Sequence, residues 1–159
     1  MRTFKYCLAN ASKHKARLNQ LGFIGKFLQA NVKHRAFVKL DRIYGEYLPE
    51  YCNYFGRPLI LKNSIYGMNN SGKLFAYDLT NRQIDVSGFK QSQFQISIYY
   101  KYAPDGSKIV VLIYADDCVF WYTSEELGGC FVDTLGKRFH ANFLGYAHWF
   151  MPISISQLK

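Results

Sequence analysis

Asp116 and Asp117 are adjacent carboxylates between two short apolar runs, Ile109-Val110-Val111-Leu112-Ile113-Tyr114-Ala115 and Cys118-Val119-Phe120-Trp121. The runs are brief and β-branched, so they read as buried strands joined in a hairpin with the carboxylates at its tip. Burying an isolated carboxylate is very costly, so the pair needs a reason. One reason is a polar turn, because Asp is a common turn residue. The other is a divalent metal site. Carboxylates are the hard oxygen ligands that Mg²⁺ takes, and phosphoryl transfer uses such ions to clamp phosphates.

A hairpin tip is placed by its neighbours. Phe94, Ile96, Ile98, Tyr100 and Tyr102 alternate with Gln95, Ser97, Tyr99 and Lys101, which predicts a strand over 94–102. Ala103-Pro104-Asp105-Gly106 is a turn, with Pro setting φ and Gly supplying positive φ. Three strands then run as a meander with the Asp pair at the second bend. Upstream, residues 2–14 are weakly helical, with Phe4, Cys7 and Leu8 on one side. Residues 15–23 read as a strand and 24–30 as a turn or helical piece around Gly25. Strands are expected at 36–40 and 59–62, with an irregular aromatic helix at 44–55 between them. Asn69-Asn70-Ser71 offers N-caps for a helix over 72–85. Thr123-Ser124-Glu125-Glu126 reads as a capping box. Leu127, Phe131, Leu135 and Phe139 would line one face of the helix behind it, with Gly128 and Gly129 each costing about 1 kcal/mol. Strands return at 142–144 and 150–155, the second weakened by Pro152 unless it is an edge. The order argues an α+β fold, an antiparallel sheet with helices packed on one face.

Composition supports one packed domain. The chain has 159 residues, 49% of them apolar and 18% aromatic, which excludes disorder. The net charge is +9, and residues 1–40 hold nine Lys or Arg and no acid, so the whole excess lies there. An acid-free basic segment attracts nucleic acid. It also resembles a transit peptide, but it runs into strand-like sequence and has a single Ser. Cys7, Cys52, Cys118 and Cys130 form no metal-binding spacing, which points to free, mostly buried thiols in a reducing compartment. No signal-peptide run and no long apolar run occurs, so an intracellular protein, neither secreted nor membrane-spanning, is expected.

Tyr114-Ala115-Asp116-Asp117 is one of several matching stretches. The others are Ala30-Asn31-Val32-Lys33 with Val38-Lys39-Leu40, Ser64-Ile65-Tyr66-Gly67-Met68, Gly88-Phe89, Phe143-Leu144-Gly145 and His148-Trp149-Phe150. Together they resemble the reverse transcriptase of copia-type LTR retrotransposons over nearly the whole chain. The resemblance implies the palm and part of the fingers of a right-hand polymerase, with 1–65 as fingers and palm and 66–159 as palm. It implies that the thumb and RNase H are absent and that the chain is a piece of a Gag-Pol-like polyprotein. The implied activity is RNA-directed DNA polymerase, a nucleotidyltransferase with two Mg²⁺ ions. Its partners would be an RNA template, a DNA primer and dNTP, with no membrane.

The resemblance also implies roles. Asp116 and Asp117 would be catalytic and hold metal, with Phe23 joining them at the metal. Phe23, Gly25, Lys26, Phe27 and Tyr66 would line the nucleotide, with Phe27 beneath the sugar and the amides near Gly25 and Lys26 toward the triphosphate. Lys33, Arg35, Lys39 and Trp149 would meet nucleic acid. Taken alone, Phe27 fits a core position, Tyr66 core or surface, and the cations a solvated face.

The departures from the family pattern are specific. The family's third carboxylate sits in Leu-Asp-x-x-x-Ala-Phe-Leu, and this chain reads Leu21-Gly22-Phe23-Ile24-Gly25-Lys26-Phe27-Leu28. Gly22 stands where Asp belongs and Lys26 where Ala belongs. Asn70-Ser71-Gly72 replaces Gln-Ser-Pro, and Met151-Pro152 replaces Leu-Gly. Losing one carboxylate of a two-metal site costs roughly a thousandfold or more in rate. The expectation is therefore an impaired reverse transcriptase. The alternatives are a non-catalytic nucleic-acid-binding module or an inactive relic. A nucleotide cyclase would need another ligand pattern, which the sequence lacks.

Overall fold

The computed structural model describes residues 2–80, 87–114 and 117–157. They form two compact units, residues 1–26 with 77–159, and residues 27–76. In chain order come helix α1 (Arg2–Lys13) and strand β1 (Asn19–Phe23), then a 3-10 helix at Lys26–Gln29. Strand β2 (Phe37–Lys39) and strand β3 (Pro58–Ile60) flank 3-10 helices at Arg42–Glu46 and Pro49–Tyr54. Helix α2 (Ser71–Leu79) follows, then β4 (Lys90–Gln91), β5 (Ile98–Tyr102), β6 (Lys108–Tyr114) and β7 (Asp117–Tyr122). Helix α3 (Glu125–Arg138), β8 (Ala141–Tyr146), β9 (Trp149–Phe150) and β10 (Ile153–Ser154) complete the chain. No described helix is long and apolar enough to cross a membrane.

The larger unit is built on a six-stranded sheet in the order β4-β5-β6-β7-β1-β8, with every neighbouring pair antiparallel. The expected meander is β5-β6-β7. Strand β1 enters between β7 and β8. In the smaller unit β2 and β3 pair antiparallel as a separate ribbon.

Helix α1 buries Phe4, Cys7 and Ala11 at i, i+3 and i+7, the spacing of one helical face. It ends where Lys15 takes a left-handed φ of 52°. There the Ala16 N–H reaches back to the Ala11 carbonyl at 2.9 Å and that of Lys15 to Ser12 at 3.0 Å. This is a Schellman closure with a lysine where glycine is usual. It also explains why β1 starts at Asn19 and not at 15: the preceding residues are spent on the cap.

The expectation of helices on one face is corrected. Along β7, Val119 and Trp121 alternate with Phe120. Val119 and Trp121 pack with Phe4, Cys7 and Ala11 of α1. Phe120 meets Phe131 of α3 edge-on, with ring centroids 5.1 Å apart. Successive side chains on a strand point to opposite faces, so α1 and α3 cover opposite faces.

Four further expectations are corrected. Residues 94–97 are not strand. The chain must reverse between β4 and β5, and the Ser92 N–H bonds to Ile98 O at 2.8 Å while that of Ile98 bonds to Gln95 O at 3.0 Å. The capping box does not form: the N-cap Ser124 makes no side-chain cap bond, and Thr123 Oγ1 instead accepts from the Lys108 N–H at 2.9 Å. Pro152 lies not in a strand but in the tight turn between β9 and β10, where Phe150 pairs with Ile153. Met151 takes φ 54° there, and Pro supplies the fixed negative φ that follows it in a II′-type turn. Lastly, Cys7 and Cys118 are buried but Cys52 and Cys130 are exposed. Helix α2 ends at Leu79, and the rest of the helix expected to 85 falls mostly on 81–86, outside the described residues.

Candidate active site

Strand β7 begins at Asp117, which pairs across the hairpin with Tyr114 and on its other side with Gly22 of β1. Directly opposed residues of an antiparallel pair share a face. Asp117, Gly22 and Tyr114 therefore lie on one face, together with Gln20 two residues before Gly22. The Gln20 amide donates to Asp117 Oδ1 at 3.4 Å, a long contact. Asp117 is half-buried. Asp116 and Ala115 lie outside the described residues. Phe23 points to the other face, buried with its ring edge-on to Phe139 at 5.9 Å.

Gly22 is not demanded by the backbone. It has no left-handed φ, and a Cβ there would meet Leu144 Cδ1 at 3.7 Å, ordinary van der Waals contact. A side chain could stand opposite Asp117, and none does. Gly25 turns the chain after β1 with φ 56°, and Lys26, expected toward a triphosphate, has its side chain buried.

In the smaller unit Phe27 and Tyr66 meet edge-to-face, with centroids 5.0 Å apart and planes 70° from each other. Two segments far apart in sequence are tied together there. Ser64 Oγ donates to Phe27 O at 2.5 Å, Asn63 Nδ2 to Leu28 O at 2.6 Å and Ser71 Oγ to Ile65 O at 2.6 Å. Two residues given the same role by resemblance are thus neighbours. Lys33, Arg35 and Lys39 are exposed on this unit, and Trp149 is exposed on β9 of the larger one.

A family model described as reverse transcriptase (RNA-dependent DNA polymerase) matches residues 1–159. The chain belongs to that family. No curated protein and no solved structure matches it.

Reverse transcriptases generally use Mg²⁺, so the donor set of this reverse transcriptase domain bears on what it can hold. Among the described residues no group of three or more His, Cys, Asp or Glu could hold a metal ion. Asp117 is the described carboxylate at the tip, and its partner across the ladder has no side chain. Among the described residues, β1 therefore sets no carboxylate opposite Asp117. Neither Gln20 nor Ser64 was among the residues expected to have a role at the site. Gln20 was signalled by its i, i+2 spacing from Gly22, which puts both on one face of a strand. Ser64 opens the Ser64-Ile65-Tyr66-Gly67-Met68 motif and is fully buried.

Proposed function

We propose that this domain is a copia-type reverse transcriptase palm with part of the fingers, a segment of a Gag-Pol-like polyprotein. In this reading it keeps affinity for nucleic acid and has lost most of its polymerase chemistry. One observation carries the reading: Gly22, which offers no ligand, is the register partner of Asp117. The family's reaction extends a DNA primer on an RNA template with dNTP, using Mg²⁺ held by carboxylates from two neighbouring strands. Here Asp117, with Asp116 beside it in sequence, would hold Mg²⁺ weakly, because position 22 supplies nothing from the second strand. Phe27 and Tyr66 would meet the sugar and base of the nucleotide, a role supported by their joint aromatic surface. The backbone around Phe23, Gly25 and Lys26 would lie toward the phosphates. The exposed Lys33, Arg35, Lys39 and Trp149 would meet template and primer.

Primer extension on an RNA template tests the loss of chemistry. Negligible extension is expected from the unaltered chain with Mg²⁺. Gly22→Asp should raise Mn²⁺ affinity about tenfold, a gain of ~1.4 kcal/mol, and Asp117→Asn should lower it. Robust extension by the unaltered chain would overturn the role given to Gly22.

Nucleic-acid binding without catalysis is favoured by the charge distribution, all of whose excess lies in the first 40 residues. Duplex affinity should fall with salt at a log–log slope of about −0.9 per phosphate contacted. A flat salt dependence would reduce the basic segment to a solvated surface.

A further inference from the structure

Helix α1 presents Tyr6 and Asn10 one turn apart, on one side of the helix. Across from them stand the 92–97 loop and strands β5 and β6. Between these elements runs a groove of about 260 Å³, lined among others by Tyr6, Phe94, Tyr100, Tyr102 and Lys108. Tyr6 is 60% exposed, Tyr102 62% and Phe94 91%.

The loop that carries Phe94 is not loose. Besides its two backbone bonds to β5, Gln91 Nε2 donates to Ile96 O at 2.7 Å, and the Phe94 N–H donates to Ser92 Oγ at 3.3 Å. Thr3 Oγ1 of α1 donates to Gln95 Oε1 at 2.9 Å. A phenyl ring held in water by a hydrogen-bonded loop gains nothing in the free protein. It is a platform ordered before any ligand arrives, and ordering in advance lowers the cost of binding.

The charge of the groove is equally specific. Lys108 Nζ lies 2.8 Å from His14 Nε2 and 5.9 Å from the centroid of Tyr102. His14 is held below its usual range, by desolvation and by the charges of Lys108 and Lys13. Helix α1 contains Arg2, Lys5 and Lys13 and no acid. Asp105, the carboxylate of the β5–β6 turn, is engaged by the Ser107 N–H at 2.9 Å and the Ser107 hydroxyl at 2.6 Å. Exposed flat rings beside a lysine fit bases that stack and a phosphate that pairs. A neutral apolar segment would leave Lys108 unused.

We propose that this groove is a second nucleic-acid site, which holds single-stranded RNA or DNA by stacking bases on Tyr6, Phe94 and Tyr102 and pairing a phosphate with Lys108. It stands apart from the carboxylate tip. Lys108 opens β6 and Tyr114, partner of Asp117, ends it, so the two places are about 20 Å apart along the strand.

Binding of short labelled oligo(U) and oligo(dT) to the full chain tests it, beside binding of a duplex template–primer. Phe94→Ala and Tyr6→Ala remove exposed rings, so both variants should melt as the unaltered chain does. Each should weaken single-strand binding about tenfold, the loss of one stacked base, and leave duplex binding unchanged. Lys108→Gln should reduce the salt slope for oligo(U) by about 0.7. Unchanged oligonucleotide affinity in all three variants, as expected for a groove that docks protein instead, would overturn the proposal. So would an equal loss on the duplex, which would merge the groove with the template–primer surface. Gly22→Asp touches none of these residues, so the polymerase reading and this one fail separately.

Discussion

Gly22 and Asp117 are register partners on adjacent antiparallel strands, with room for a side chain at position 22. A second carboxylate placed there would face Asp117 directly. Like charges opposite one another on a sheet cost roughly 0.2–1 kcal/mol. Gly22→Asp should therefore lower the melting temperature in chelator and raise it in Mn²⁺, whereas the unaltered chain should respond much less to the metal. Melting curves of the two proteins with EDTA and with Mn²⁺ decide this. A variant indifferent to both would show that position 22 does not share a site with Asp117.

Helix α3 carries two adjacent glycines with opposite fates. A Cβ on Gly128 would stand 2.3 Å from Tyr122 Cε1, whereas one on Gly129 would meet nothing within 4 Å. The Tyr122 ring is held in place by its hydroxyl, which donates to Glu125 Oε2 at 2.8 Å. Gly128→Ala should destabilise by about 1–3 kcal/mol through overpacking. Gly129→Ala should stabilise by about 1 kcal/mol, the propensity difference alone. Urea unfolding of both variants checks the contrast, and equal shifts would refute it.

Ser64 is fully buried and its hydroxyl donates to the Phe27 carbonyl. Ser64→Ala removes one net hydrogen bond, worth about 1 kcal/mol. The effect should be local, with faster amide hydrogen exchange in the Lys26–Gln29 turn and little change in β6 and β7. Uniform acceleration across the sheet would contradict this assignment.

Alkali should unfold the larger unit through its core thiols. Burial pushes Cys7 from 9.0 up to about 12, and burial with the nearby Cys7 and Asp117 charges pushes Cys118 up as well. Both folded values lie above the unfolded ones, so their contribution is fully present below about pH 9 and is lost as pH rises toward 12. The unfolded chain binds fewer protons in that window, and stability falls by about 1.4 kcal/mol per pH unit for each thiol. Urea midpoints from pH 8 to 10.5 should decline, and Cys7→Ala should flatten the decline whatever it costs at neutral pH. A midpoint that stays level in the unaltered chain would exclude the mechanism.

The sequence by itself determined the local elements and the family. Ile109 to Trp121 reads as a strand pair around a polar tip, and Pro104-Asp105-Gly106 as the turn that leads into it from β5, because those preferences are set by each residue's own φ and side chain. That position 22 carries a glycine was equally legible, and its reading as a missing ligand rests on the family pattern. Pairing decided the rest. That Gly22 lies across from the aspartate pair was implied by the family resemblance, and its pairing with Asp117 agrees; that β1 enters between β7 and β8 depends on contacts almost 100 residues apart that no local pattern encodes. The alternation over 94–97 failed for the same reason: β4 had to return beside β5, and the reversal took those residues from the strand. Gly128 read as a defect in a helix until the Tyr122 ring lay against it. Propensity acts within a few residues, while register, faces and close approaches are settled only when distant segments compete for the same buried surface.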